Sequence, residues 1–159
     1  MLSYANVPHE NVDISFPKFF VGGVKKRFGS MPVIERSDGT FMKETPPMAR
    51  YIARHNGLYP EDPMEAWRND WIVEKFQPVI NYFSAHCLAF GKAKEAGIVK
   101  AYEIGDAFFP QIEEFCKDGW LIGDGSKIYM CDFFVGSFYT DSFSNPKSWV
   151  PKERKDGYA

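Results

Sequence analysis

Residues Asn56-Gly57-Leu58-Tyr59-Pro60-Glu61-Asp62-Pro63 constrain this chain more than any other stretch, because two prolines, a glycine and two acids stand between two helical patterns. No regular element passes through such a segment. It reads as a linker over residues 57–63 and divides the chain into a part of residues 1–56 and a part of residues 64–159. Short apolar runs broken by turn signals fill the first part, and helical periodicity fills the second, so the expected fold is α/β followed by all-α. With 45% hydrophobic, 25% charged and 17% aromatic residues over 159 positions, the chain has the composition of a folded globular protein.

Charge and cysteine usage narrow the function classes. A formal net charge of -2 gives no electrostatic case for nucleic acid or for an anionic membrane as partner. The longest apolar runs, such as Ala85 to Phe90, fall far short of a membrane span. Met1 to Tyr4 lacks a secretory leader, so a cytoplasmic location is expected. Cys87, Cys116 and Cys131 are odd in number and widely spaced, and with only His9, His55 and His86 they form neither a disulfide framework nor a zinc pattern. No metal and no resident cofactor are expected.

In the first part, Pro8 ends any helix over Met1 to Ala5, and Asn11 to Ile14 can form a short strand. Met31 to Glu35 and Thr40 to Met42 flank Ser37-Asp38-Gly39, a hairpin whose Asp-Gly pair suits positive backbone φ. Thr45 can cap a helix that starts at Pro46, carries Met48, Tyr51 and Ile52 on one face, and stops at Asn56-Gly57. In the second part, a helix opens at Pro63 with Trp67, Trp71, Phe76, Ile80 and Phe83 as apolar faces, and Pro78 kinks or breaks it. Another helical pattern runs from about Gly91 to Lys117, and a third from near Tyr129 to about Phe143, with little regular structure expected from Ser144 on.

Two ordered motifs resemble the glutathione transferase family. Ser30-Met31-Pro32-Val33-Ile34-Glu35, the Asp38-Gly39 turn, Glu44-Thr45 and Ala49-Arg50-Tyr51-Ile52-Ala53 are similar to its glutathione-binding half. Trp120-Leu121-Ile122-Gly123-Asp124, followed by Asp132-Phe133, resembles the signature of its helical half. The resemblance covers about residues 1 to 145. It implies an incomplete thioredoxin-like domain, an all-helical domain, usually a homodimer, and truncation at both ends relative to the family.

The resemblance also implies roles. Glu44 would accept from the ligand's ammonium, and Thr45 would hold the γ-glutamyl carboxylate at a helix N-terminus. Read without the family, Thr45 is a plain cap that bonds the Met48 N–H. Pro32 matches the family's cis-proline, beside which the Met31 backbone would pair with the ligand's peptide. A proline on an edge strand is the alternative. Phe19 and Gly23 stand where a Trp and a Lys often hold the glycyl carboxylate, so Lys25 and Lys26 could supply only weak contacts there.

The catalytic residue is unknown. The family's activating Tyr, Ser or Cys lies on a first strand ahead of the segment that Leu2 to Ala5 resembles, while Tyr4, Tyr51 and the three cysteines read as packing residues. The expected function is therefore conjugation of glutathione, as cosubstrate, to a hydrophobic electrophile if such a strand supplies the hydroxyl. The alternative is a non-catalytic scaffold of the same fold, or a subunit of a larger assembly. Asp132 fills the acid slot of a capping box, but Tyr129 cannot supply the cap oxygen, which predicts a weak helix start. Phe76, Tyr82, Phe83, Phe108, Phe109, Phe133, Phe134, Phe138 and Tyr139 could line a site for hydrophobic electrophiles, though a helical core suits most of them better.

Overall fold

A computed structural model describes residues 1–88, 91–116 and 118–145, with the side chains of residues 16, 83–88, 101 and 142–144 outside that description. The side chains of Phe83, His86 and Cys87, and the tail from Pro146, therefore lie outside that description. The chain divides into two compact units, Met1–Tyr59 and Pro60–Ala159. The division falls within the proline-rich stretch.

The first unit contains α1 (Phe16–Phe20), α2 (Val24–Phe28), β1 (Val33–Glu35), β2 (Phe41–Lys43) and α3 (Thr45–His55). Neither α1 nor α2 was signalled by periodicity, since five residues are too few to show one. Asn11 to Ile14 do not form the expected strand: the two strands described pair only with each other, and a lone extended segment gains no ladder. Met1 to Val7 form a single hydrogen-bonded turn rather than a helix. It closes at Asn6, whose φ is 53°, ahead of Pro8.

The hairpin register is Val33↔Lys43, Ile34↔Met42 and Glu35↔Phe41, so β1 starts two residues later than expected and ends where expected, and β2 lies one residue later. Its loop is Ser37-Asp38-Gly39, closed by the Arg36 N–H on the Thr40 carbonyl at 2.9 Å. Only Gly39 of the pair takes positive φ, at 79°. Asp38 instead accepts the Thr40 N–H at 2.9 Å and pairs with Arg36 at 2.9 Å, which suits a three-residue loop with glycine in the left-handed position.

Helix α3 buries Met48, Ala49, Ile52 and Ala53. Asn56 and Gly57 end it as expected: Gly57 has φ 68°, and the Leu58 N–H reaches back to the Ala53 carbonyl at 2.9 Å while both side chains are buried.

In the second unit, α4 (Pro63–Leu88) packs on α5 (Gly91–Glu113) and on α6 (Met130–Phe138), which continues into a π-helical turn, Tyr139–Ser144. Asp62 caps α4, its Oδ1 accepting the Met64 and Glu65 N–H groups at 3.0 Å each. Pro78 does not break α4, which runs on through it, and Pro110 likewise lies inside α5. Tertiary packing compensates for the lost backbone bond: Val73, Phe76 and Val79 around Pro78 are fully buried. The Phe76 ring meets Phe108 at 5.4 Å and Phe138 edge-on at 5.1 Å, so these aromatics form a core. Trp67, expected on a packed face, is 49% exposed and meets the Phe115 ring edge-on at 6.1 Å.

The Trp120 to Tyr129 turn is held by Gly125. A Cβ there would stand 2.1 Å from the Trp120 ring, and its φ is 81°. The expected weakness at the start of α6 is repaired from another element. Fully buried Asn69 on α4 accepts the Cys131 N–H at 3.0 Å, and Asp132 accepts the Tyr129 N–H at 2.7 Å.

Candidate functional site

The Met31–Pro32 peptide bond is cis. Pro32 directly precedes Val33, and Glu44 directly follows Lys43, the partner of Val33. The antiparallel register thus brings Met31-Pro32 and Glu44-Thr45 to the same open end of the hairpin. Met31 is 42% exposed, so this end is open to solvent at Met31.

Glu44, and not Thr45, is the N-cap residue of α3, and its backbone is at φ 67°, ψ 120°. That conformation is uncommon for a residue with a Cβ and costs on the order of 1–3 kcal/mol, a pattern that clusters at ligand clamps. Sequence reading had no signal for it. The helix begins at Thr45, which places Pro46 and Pro47 at the second and third positions. Neither proline has an N–H, and the Met48 N–H is taken by the Glu44 carbonyl at 3.1 Å. Thr45 is therefore not a plain cap on Met48. Its own N–H and hydroxyl are the donors of this first turn, fewer than a helix start usually offers to an anion.

Lys25 and Lys26 lie exposed on α2, where the Lys25 ammonium is 4.9 Å from the Phe20 ring centroid. Helix α2 meets the hairpin through Phe28 and Phe41, 5.1 Å apart, at the end nearer the turn.

Among the thiols and phenols of the helical unit, burial keeps three in their protonated form. Burial pushes the Cys131 thiol far up, with the Asp132 carboxylate adding to it, and burial also raises the Cys116 thiol and the Tyr129 phenol. Tyr51 stacks on His55 at 4.1 Å, and His55 Nδ1 donates to the Tyr51 carbonyl at 2.8 Å. His9 Nδ1 donates to the Val7 carbonyl at 2.7 Å. Both histidines serve local packing. Among the described residues no group of three His, Cys, Asp or Glu side chains could hold a metal ion, and no helix is long and apolar enough to cross a membrane.

A shallow groove of about 360 Å³ lies between α4 and α5, with Pro78, Ile104 and Phe108 as its apolar surface and Lys75, Lys100 and Gln111 at its rim. Lys100 is already paired with Glu103 at 2.9 Å.

A hairpin ending on a cis-proline, a helix directly after it, and a separate unit of packed helices define a thioredoxin-like domain joined to an all-helical domain. This is the glutathione transferase fold. The solved structure of NaGST-2 matches with a TM-score of 0.75 at 20% identity, over 99% of this chain and 80% of that one. The glutathione S-transferase from Ascaris lumbricoides matches with a TM-score of 0.68, also at 20% identity and with the same coverage.

Sequence relatives agree at low identity. S-crystallin SL18 of Nototodarus sloanii is 28% identical over 81 residues, 51% of this chain and 26% of that protein. Two Caenorhabditis elegans proteins are 24% identical: probable glutathione S-transferase 6 over 78% of this chain and 64% of its own length, and glutathione S-transferase 4 over 98% and 78%. The chain thus spans about a quarter of the crystallin and just under two thirds of the first transferase. No protein-family model matches it.

Proposed function

We propose that this chain binds glutathione at the open end of the β1–β2 hairpin. The reading rests on one observation above others: cis Met31–Pro32 and the backbone-strained Glu44 stand together by strand register, next to the Thr45 donors. The Met31 backbone would pair with the cysteinyl unit of the ligand, Glu44 would accept from its ammonium, and the Thr45 N–H and hydroxyl would hold the γ-glutamyl carboxylate. Lys25 and Lys26 would add weak, screened attraction for the glycyl carboxylate.

Conjugation of the bound thiol to a hydrophobic electrophile is the chemistry that the transferase relatives suggest. It requires a group that donates a hydrogen bond to the thiolate and so lowers the thiol pKa. A homodimer or larger assembly and a cytoplasmic location belong to the same proposal. The second reading, a scaffold that holds glutathione without activating it, is suggested by the crystallin among the relatives.

Thr45→Ala should weaken glutathione binding by about 1–3 kcal/mol, the worth of a charge-assisted bond, as read by titration calorimetry. Equal affinity of the two proteins would remove the site. Initial rates with a chromogenic aromatic electrophile, followed from about pH 6 to 9, separate the two readings, since unactivated thiol ionises near 8.5. A scaffold leaves the solution rate and its pH rise unchanged. Saturable turnover that flattens the rise identifies a transferase.

A further inference from the structure

The net charge of the whole chain conceals a local concentration of positive charge. From Ile14 to Ile34 the sequence has Lys18, Lys25, Lys26 and Arg27 and no acidic residue, with Phe16, Phe19, Phe20 and Phe28 interleaved. A surface a Debye length away, about 8 Å at physiological salt, responds to that local density and not to the total.

The structure gives this segment a defined shape. Helices α1 and α2 are joined through Val21-Gly22-Gly23, where the Val21 N–H bonds the Pro17 carbonyl at 2.8 Å and the Gly22 N–H bonds the Lys18 carbonyl at 3.0 Å. Gly22 has no room for a side chain, because a Cβ would stand 2.5 Å from the Lys18 carbonyl oxygen, and Gly23 has φ 80°. The turn projects Val21, which is 88% exposed, beside Phe20 at 48%. Among the described residues the four cations of this segment make no ion pair with a carboxylate. Lys25 lies over the Phe20 ring, and Arg27 lies 4.7 Å from the Phe28 centroid and 5.0 Å from that of Phe41.

We propose that the Phe16–Phe28 segment docks this protein onto an anionic lipid surface, with Phe20 and Val21 at the boundary between headgroups and acyl chains and Lys18, Lys25, Lys26 and Arg27 on the phosphates. An exposed aliphatic and aromatic tip in a short segment that carries four cations and no acid combines the apolar burial and the electrostatic attraction on which interfacial binding rests. A nucleic acid would use the cations and stack bases on rings. Here Val21 has no stacking face, and Phe20 already packs edge-on with Phe19 at 5.0 Å. An acidic peptide would pair the cations and leave the tip in water.

The test is co-sedimentation of the full chain with vesicles of phosphatidylcholine alone and of phosphatidylcholine with phosphatidylserine, at low and at physiological salt. The protein should partition onto the serine-containing vesicles, and salt should weaken that binding. Lys18→Glu and Val21→Ser should each lower partitioning about tenfold. Neither residue belongs to the proposed glutathione site, so retention on immobilised glutathione and the melting temperature should stay as in the parent protein. Equal partitioning onto both vesicle types, or none, overturns the proposal. Loss on Lys18→Glu with Val21→Ser unchanged also overturns it, and would assign the cations to a nucleic acid or an acidic protein.

Discussion

Asp132 shows how one side chain carries opposing effects. Burial raises its carboxyl above the ordinary range, while the hydrogen bond from the Tyr129 N–H pulls it down, and burial prevails. A carboxyl that holds its proton more tightly when folded stabilises the fold at pH below its unfolded value, and that contribution is lost as pH rises through the folded value. The stability of the parent protein relative to Asp132→Asn should therefore fall as pH is raised from about 4, the ordinary carboxylate range. Denaturant melts of both proteins at several pH values check this, and a constant difference would mean that the hydrogen bond cancels the burial. Asp38 and Asp124 behave with the opposite sign. Both are held low by bonds with Thr40 and Ser126, so their small contributions at the surface fade as pH falls.

Among the elements, α6 is the one whose start is decided elsewhere. Its own cap position holds Tyr129, whose backbone carbonyl accepts the Asp132 N–H at 3.1 Å, while the N–H of fully buried Cys131 takes its acceptor from outside the first turn. Asn69, more than sixty positions earlier, supplies the missing acceptor. Asn69→Ala should leave the buried Cys131 N–H unpaired and lower stability by about 1–3 kcal/mol, measured by chemical denaturation. A loss under half a kcal/mol would show that water or a shifted backbone satisfies that group. Asn69 lay within a helical pattern as one polar residue among several, and nothing local in the sequence distinguished it. The cap on α3 was misplaced by one residue for a related reason. Thr45 followed by proline suggests a cap, but the backbone puts Glu44 in that role at positive φ, a conformation that residue preference would not select.

At the scale of the whole molecule, the two units differ in the core that holds them. Met1–Tyr59 buries chiefly Met48, Ala49, Ile52, Ala53 and Leu58, whereas Pro60–Ala159 encloses Ile72, Val73, Phe76, Val79, Met130 and Cys131 at or near complete burial. Hydrogen exchange should accordingly show slower amides in the middle of α4 and in α6 than in β1 and β2, because local opening of the hairpin exposes little apolar surface. Equal protection in both units would indicate that they unfold as one.

What the sequence determined by itself was whatever depends on neighbours in the chain. The 56–63 boundary, the Asp38-Gly39 hairpin, the Gly57 stop and the amphipathic helices all follow from backbone preference and periodicity over a few residues. The motifs around Pro32, Glu44 and Thr45 were legible for the same reason, as short strings in fixed order. Tertiary structure alone decided the rest: that Asn11 to Ile14 remain unpaired, that α4 continues through Pro78, that Asn69 caps α6, and that Phe20 and Val21 face outward among lysines. Each depends on whether a distant partner arrives to satisfy a backbone group or cover an apolar one, and the balance of those long-range contacts outweighs local preference by amounts that no short window of sequence contains.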